Sequence, residues 1–180
     1  MLVLTSNPAY QAFSIRPVNK GSDGTIIRRI FRTELYGDDS KAIPDESLLN
    51  IYDKMENQDI WGAYLVLRGD HVLFLLEVHP PLQMDLTEEY QLRDNDIGIY
   101  CFFDSFREPD NDLALRACLE TLLNRPDMTA VITSIGHGRP DEPKAILLGK
   151  AGFVQRPEST DTLSIYECTR ETFQGTAHKP

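Results

Sequence analysis

The stretch that most limits what this chain can fold into runs from Asp96 to Leu123, DIGIYCFFDSFREPDNDLALRACLETLL. Ile97, Ile99, Cys101 and Phe103 fall on one face of a strand, and Gly98, Tyr100 and Phe102 on the other. Apolar bulk on both faces suits a central strand covered on both sides. Pro109 has no amide N–H to give to a sheet, so the strand must end before it. Asp110 and Asn111 are good N-caps, and Asp112 adds negative charge where a helix dipole is positive. Leu115, Cys118, Leu119 and Leu122 then recur at helical spacing and predict a helix over 112–123. A strand that feeds a helix N-terminus exposes amide N–H groups suited to an anion. The plainer reading of the same residues is a strand–helix crossover that packs a core.

The 180 residues are enough for one domain with a sizeable core. A single domain over 1–170 is expected, with a mobile tail over 171–180. Lys and Arg number 18 against 28 Asp and Glu, a net charge of −10. That balance argues against nucleic acid and against an anionic membrane as partners. No apolar run is long enough to span a bilayer. Met1 to Leu4 lacks the charged start and apolar continuation of a signal peptide. Cys101, Cys118 and Cys168 are odd in number, widely spaced and in apolar contexts. They read as reduced core residues of a cytoplasmic protein, with no metal-ligand spacing among them.

In chain order, 13–18 alternates as a short edge strand near Pro17. Gly24 to Tyr36 and a segment starting at Pro44 read as helices with apolar stripes. Trp61–Arg68 and Val72–Val78 are apolar strands joined at Gly69-Asp70. Pro80-Pro81 ends the second of them, and 82–95 is an acidic loop. After the strand–helix unit, 129–135 is a strand, 142–151 a short helix closed by Gly152, and 162–168 a last strand. A meander followed by strand–helix alternation implies an α/β fold with a mixed central sheet and helices on both faces. The strands at 97–103 and 129–135 should be parallel neighbours splayed at their C-terminal ends, with the helix as crossover.

This order resembles that of the GNAT N-acetyltransferase superfamily. Lys150-Ala151-Gly152-Phe153 looks like the family's K-x-G-F ending of its last helix. Leu76-Glu77-Val78 followed by Asp96-Ile97-Gly98-Ile99 is similar to the siderophore-biosynthesis and aminoglycoside 6′-N-acetyltransferase branch. The resemblance implies a GNAT-like domain that transfers an acyl group from acetyl-CoA to a small, cationic amine by direct attack. A homodimer is left open.

By resemblance Glu77 is the catalytic base, facing the acceptor amine or a water that takes its proton. A raised pKa in a half-buried site would suit that role. The plainer reading is a solvated carboxylate at a strand end. Asp96 would help hold a cationic acceptor, with a strand-initiating turn as its plain alternative. His79 and His137 flank strand ends on the usual ligand side of such sheets, and His79 is a candidate acceptor contact. The backbone of Tyr100, Cys101, Phe102 and Phe103 would pair with the pantetheine arm and supply an N–H to the oxyanion. Arg107 and Asn111 would meet the coenzyme A pyrophosphate. Lys144 and Arg139 are basic residues near the last helix that could meet coenzyme phosphates, or simply surface charge. Tyr100 and Tyr166 could each protonate a leaving thiolate, and each also suits an amphipathic core position.

Two features depart from the family. Its pyrophosphate loop has the form Q/R-x-x-G-x-G/A, whereas residues 104–112, DSFREPDND, contain no glycine and carry four acids against one base, a charge of −3. Its usual tyrosine, four residues before the G-F pair, is replaced by Leu148. Asp110 and Asp112 at the helix start should repel phosphates, so weak coenzyme A binding is expected. The alternative that follows is a GNAT-like domain that binds a ligand or a protein without catalysis.

Overall fold

A computed structural model describes residues 1–31, 59–80, 83–84, 86–136 and 141–176. The described elements are β1 (Phe13–Pro17), α1 (Lys20–Phe31), β2 (Gly62–Arg68), β3 (His71–His79), β4 (Ile97–Phe103), α2 (Asn111–Leu123), β5 (Ala130–Gly136), α3 (Asp141–Ala151), β6 (Val154–Gln155), β7 (Leu163–Thr169) and α4 (Arg170–Thr176). The expected helix starting at Pro44 lies outside the described residues.

The strands form one mixed sheet in the order β1-β2-β3-β4-β5-β7-β6. Neighbouring strands are antiparallel except β4 and β5, which are parallel. Gly69, with φ +58°, makes the β2–β3 turn as its position before Asp70 suggests. Pro17 sits in the edge strand, where an absent N–H is tolerated.

Alternation along the strands divides the core into two layers. Tyr64, Phe74, Leu76, Ile99, Cys101 and Phe103 point to the face covered by α2 and α3, where Leu115, Cys118, Leu119 and Leu148 complete the larger cluster. Leu65 and Leu75 point to the opposite face and pack against Ile27, Ile30 and Phe31 of α1. The three cysteines are buried and form no disulfide. The Lys150–Phe153 motif ends α3. Gly152 has φ +116°, and the N–H groups of Gly152 and Phe153 both donate to the Leu148 carbonyl. A Cβ on Gly152 would stand 3.1 Å from the Cα of Phe173, so glycine also permits the close approach of α4.

Three details differ from the sequence expectations. Helix α1 begins at Lys20, not Gly24. The Asn19 side chain accepts from the N–H groups of Gly21 and Ser22, and the Asp23 carboxylate accepts from the Asn19 N–H, so reciprocal capping starts the helix early. The two-residue β6 is too short to leave a periodic signal. Where a tail is expected from 171, residues 170–176 form α4. Phe173 packs on the core, and Arg116 lies over its ring at 4.3 Å.

Asp23 is buried and takes a bidentate ion pair from Arg16 at 2.7 Å on each oxygen. The Arg16 guanidinium holds the Asp23 carboxyl below its ordinary value of 3.8. A carboxyl depressed by folding adds stability above its unfolded pKa and loses it as pH falls through the folded one. Asp23→Asn is therefore expected to cost about 2 kcal/mol at neutral pH. In urea titrations that gap between the variant and wild type should shrink once the pH drops below 3.8.

Candidate active site

The site begins with a break in pairing. Strands β4 and β5 are joined only through Ile97 with Val131 and Gly98 with Ile132. Beyond this vertex β5 stays paired with β7 along its whole length, and β4 with β3. The β5-facing edge of β4 from Ile99 to Phe103 therefore borders a cleft, as a splayed pair requires. Tyr100 and Phe102 are half-buried there, whereas Cys101 and Phe103 turn into the core beneath α2. Of Cys101 and Phe103, then, the backbone alone is offered to the cleft.

Glu77 lies opposite Tyr100 and His79 opposite Gly98, so both belong to the vertex. Two residues apart on one strand, they point to the same face. The His79 Nε2–H donates to Glu77 Oε2 at 3.1 Å, and both side chains are largely buried, 15% and 10% exposed. The carboxylate fixes this tautomer, which leaves a lone pair on Nδ1 of the neutral ring. The His79 ring meets Tyr100 edge-on at 5.8 Å. Gly98 gives this region its shape. A Cβ there would overlap the Met84 thioether and stand 3.1 Å from the His79 carbonyl oxygen.

Asp96 is not brought to this pair by any contact. Its side chain is fully shielded, and its oxygens accept from the N–H and the guanidinium of Arg93, each at 3.0 Å. Arg93 also reaches buried Glu167 at 3.1 Å, and the Tyr90 hydroxyl donates to Glu167 at 2.9 Å. Burial pushes the Asp96 carboxyl up, with Arg93 opposing it, and burial likewise raises the Tyr90 phenol. An acceptor amine could reach Asp96 only by displacing Arg93. The residue expected to hold a substrate instead fastens the 86–95 loop. Tyr90 and Glu167 escaped the sequence reading because they lie 77 residues apart, and Arg93 escaped it although Asp96 is three residues away.

The acidic loop after β4 is also tied down. Arg29 of α1 grips Asp104 through two bonds of 2.8 Å, and Arg68 of β2 pairs with Asp110. His71 stands 3.6 Å from Glu108. Counting Arg29 and Arg68, the charge of −3 on residues 104–112 becomes −1. This corrects the sequence picture of an unopposed acidic loop: the opposing charges come from β2 and α1. Asp110 makes no side-chain cap to α2, and Asn111 is buried with its amide donating to the Ser105 carbonyl at 2.6 Å. Arg107 is exposed, and its guanidinium has no ion pair among the described residues. His137 and Arg139 lie outside the described residues.

Among the described residues, no group of three or more His, Cys, Asp or Glu could hold a metal, and no helix is long and apolar enough to cross a membrane. A groove of about 540 Å³ lies elsewhere, lined by Asn7, Tyr10, Arg116, Glu120 and Phe173. Its charges are committed, Arg116 to Thr176 and backbone carbonyls and Glu120 to Thr5 and Asn7.

Removing Arg93 would leave Asp96 and Glu167 buried with their shared cation gone. Arg93→Ala is expected to cost about 3 kcal/mol at pH 7. Protonation relieves the stranded carboxylates, so the deficit in melting temperature should narrow toward pH 4.5. A deficit that stays constant with pH would assign the loss to packing alone.

No family model matches the sequence, and neither does any curated protein. Solved structures do match. An uncharacterized protein from Bacillus halodurans superposes with a TM-score of 0.73 at 13% identity, over 91% of this chain and 87% of that one. Aminoglycoside acetyltransferase AAC(6′)-Ib, in complex with coenzyme A and kanamycin, gives 0.67 at 17%, over 92% and 99%. A spermidine N-acetyltransferase SpeG chimera from Vibrio cholerae and hSSAT gives 0.63 at 11%, over 91% and 99%. At these identities the likeness establishes the fold alone, and that fold is the one of the GNAT acetyltransferases.

Proposed function

We propose that this protein is an acyl-CoA-dependent N-acyltransferase for a small, cationic amine, working in the β4–β5 cleft. The observation that carries this reading is the Glu77–His79 pair at the vertex where β4 and β5 part. The open edge of β4 offers unpaired backbone groups to an extended acyl donor. The start of α2, with Arg107 close in the chain, offers N–H groups and a cation to its phosphates. Acetyltransferases of the same fold have been solved with coenzyme A, which supports an acyl-CoA as the donor.

In the proposed reaction the acceptor amine loses a proton to the Glu77–His79 pair and attacks the thioester carbonyl. A backbone N–H of the Tyr100–Phe103 segment holds the developing oxyanion. Glu77 both fixes the His79 tautomer and compensates the imidazolium that forms. Asp96 serves at one remove, through Arg93, by holding the loop beside the site. The net charge of −10 favours a cationic acceptor, and the aminoglycoside and polyamine enzymes of the same fold point to that class. The glycine-free loop 104–112 favours a second reading, a GNAT-like binding domain without catalysis.

Acyl transfer can be followed as free thiol released from acetyl-CoA in the presence of a panel of polyamines and aminoglycosides. Turnover with at least one of them is expected. Glu77→Gln should lower kcat by about 100-fold, the usual contribution of a positioned base. Calorimetry showing no acetyl-CoA binding to wild type would favour the binding-domain reading.

A further inference from the structure

A direct attack needs a second proton movement. As the C–S bond breaks, its electron pair goes to sulfur, and the thiolate leaves far more readily if a cation or proton meets it. Leu148, which stands where the resemblance implies a tyrosine, is fully buried and apolar and can supply neither. Tyr166 is buried in the core beneath α2 and α3, on the face opposite Tyr100 and Phe102. The cleft does contain an ammonium. Lys144 is half-buried on the first turn of α3, one helical turn before Leu148. Its Nζ lies 5.4 Å from the centroid of the Phe102 ring.

That contact brings α3 to the open edge: Phe102 belongs to β4 past the vertex, and Lys144 reaches its ring from a different element. The Phe102 ring is itself held from behind by Phe31 of α1 at 4.9 Å. Tyr100, level with Glu77, is two residues back along the strand, about 6.6 Å at the usual rise. A thioester whose carbonyl is held over the Tyr100–Phe103 edge would place its sulfur within reach of a lysine side chain anchored at Phe102.

We propose that Lys144 is the group that protonates the departing thiolate. This inference rests on the acyltransferase reading above. The balance is complete: the acceptor nitrogen bonds to the carbonyl carbon and gives its proton to the Glu77–His79 pair. The C–S bond breaks onto sulfur, which takes a proton from the Lys144 ammonium, and solvent restores that proton afterwards. The obvious competitor, in which Lys144 is itself acylated, would leave an acetyl group on the lysine and is separated from this role by mass spectrometry. A third role, anchoring a coenzyme phosphate, is separated from this one by the Kd for acetyl-CoA.

The test compares wild type, Lys144→Met and Lys144→Arg, each checked for an unchanged melting temperature, in thiol-release kinetics and in acetyl-CoA calorimetry. For Lys144→Met the expected result is a fall in kcat of about 100-fold with the Kd for acetyl-CoA within threefold of wild type. Lys144→Arg keeps the cation but does not give up a proton, so it should not recover the rate, and full recovery would assign Lys144 an electrostatic role instead. A kcat for Lys144→Met within twofold of wild type overturns the proposal. So does a Kd raised tenfold with kcat unchanged, which would make Lys144 a phosphate anchor, and so does an acetyl group found on Lys144 by mass spectrometry. A wild type that neither binds acetyl-CoA nor turns over any amine overturns the acyltransferase reading and this one together. Normal turnover unaffected at Lys144 sinks this one alone.

Discussion

The rest of the structure depends on a limit to hydrogen bonding between two strands. β4 and β5 are the parallel pair in an otherwise antiparallel sheet, and they share two residue pairs before separating. Each has a stronger commitment on its other side. β3 holds β4 from Phe103 to Gly98, and β7 holds β5 along its full length. The inner pairing stops after two residue pairs while both outer pairings run on. The unpaired backbone that results would be costly if buried dry, and a ligand or water must satisfy it. Glu77 and His79 stand at the vertex because β3 runs past it.

Electrostatics then stiffens both sides of that opening. Buried Asp96 and Glu167 share Arg93, with the Tyr90 hydroxyl as a further donor, so the loop before β4 is fixed to β7. The loop after β4 is fixed to α1 and β2 through Asp104 and Asp110. The second set is exposed, and each such pair contributes little to stability. Its effect is on the local potential, since carboxylates already matched by arginines repel an incoming phosphate less.

The strands, the crossover helix, the parallel pair and its splay were legible in the sequence because they follow from local periodicity and one chirality rule. The Gly152 turn was legible because only glycine suits its φ of +116° next to a crossing helix. What could not be read depends on contacts between distant residues. Asp96 suits a substrate contact by sequence, whereas its burial against Arg93, which also reaches distant Glu167, depends on the fold. The acidic loop looked repulsive because Arg29 and Arg68 are far away in sequence. The pairing of His79 with Glu77 is an exception, since a spacing of two on one strand already puts both side chains on one face. Lys144 could be placed near the last helix, but its ring contact with Phe102 needed the fold.

The central claim is that an acyl-CoA lies along the open edge of β4 with its phosphates at the start of α2. Backbone amide NMR during a coenzyme A titration tests it most directly. The account predicts shift changes concentrated at Tyr100–Phe103 and at Arg107–Leu113, with Glu77 and His79 moving when an acetyl donor replaces the free thiol. Changes confined to the groove around Tyr10 and Arg116, or no changes at saturating coenzyme A, would contradict it.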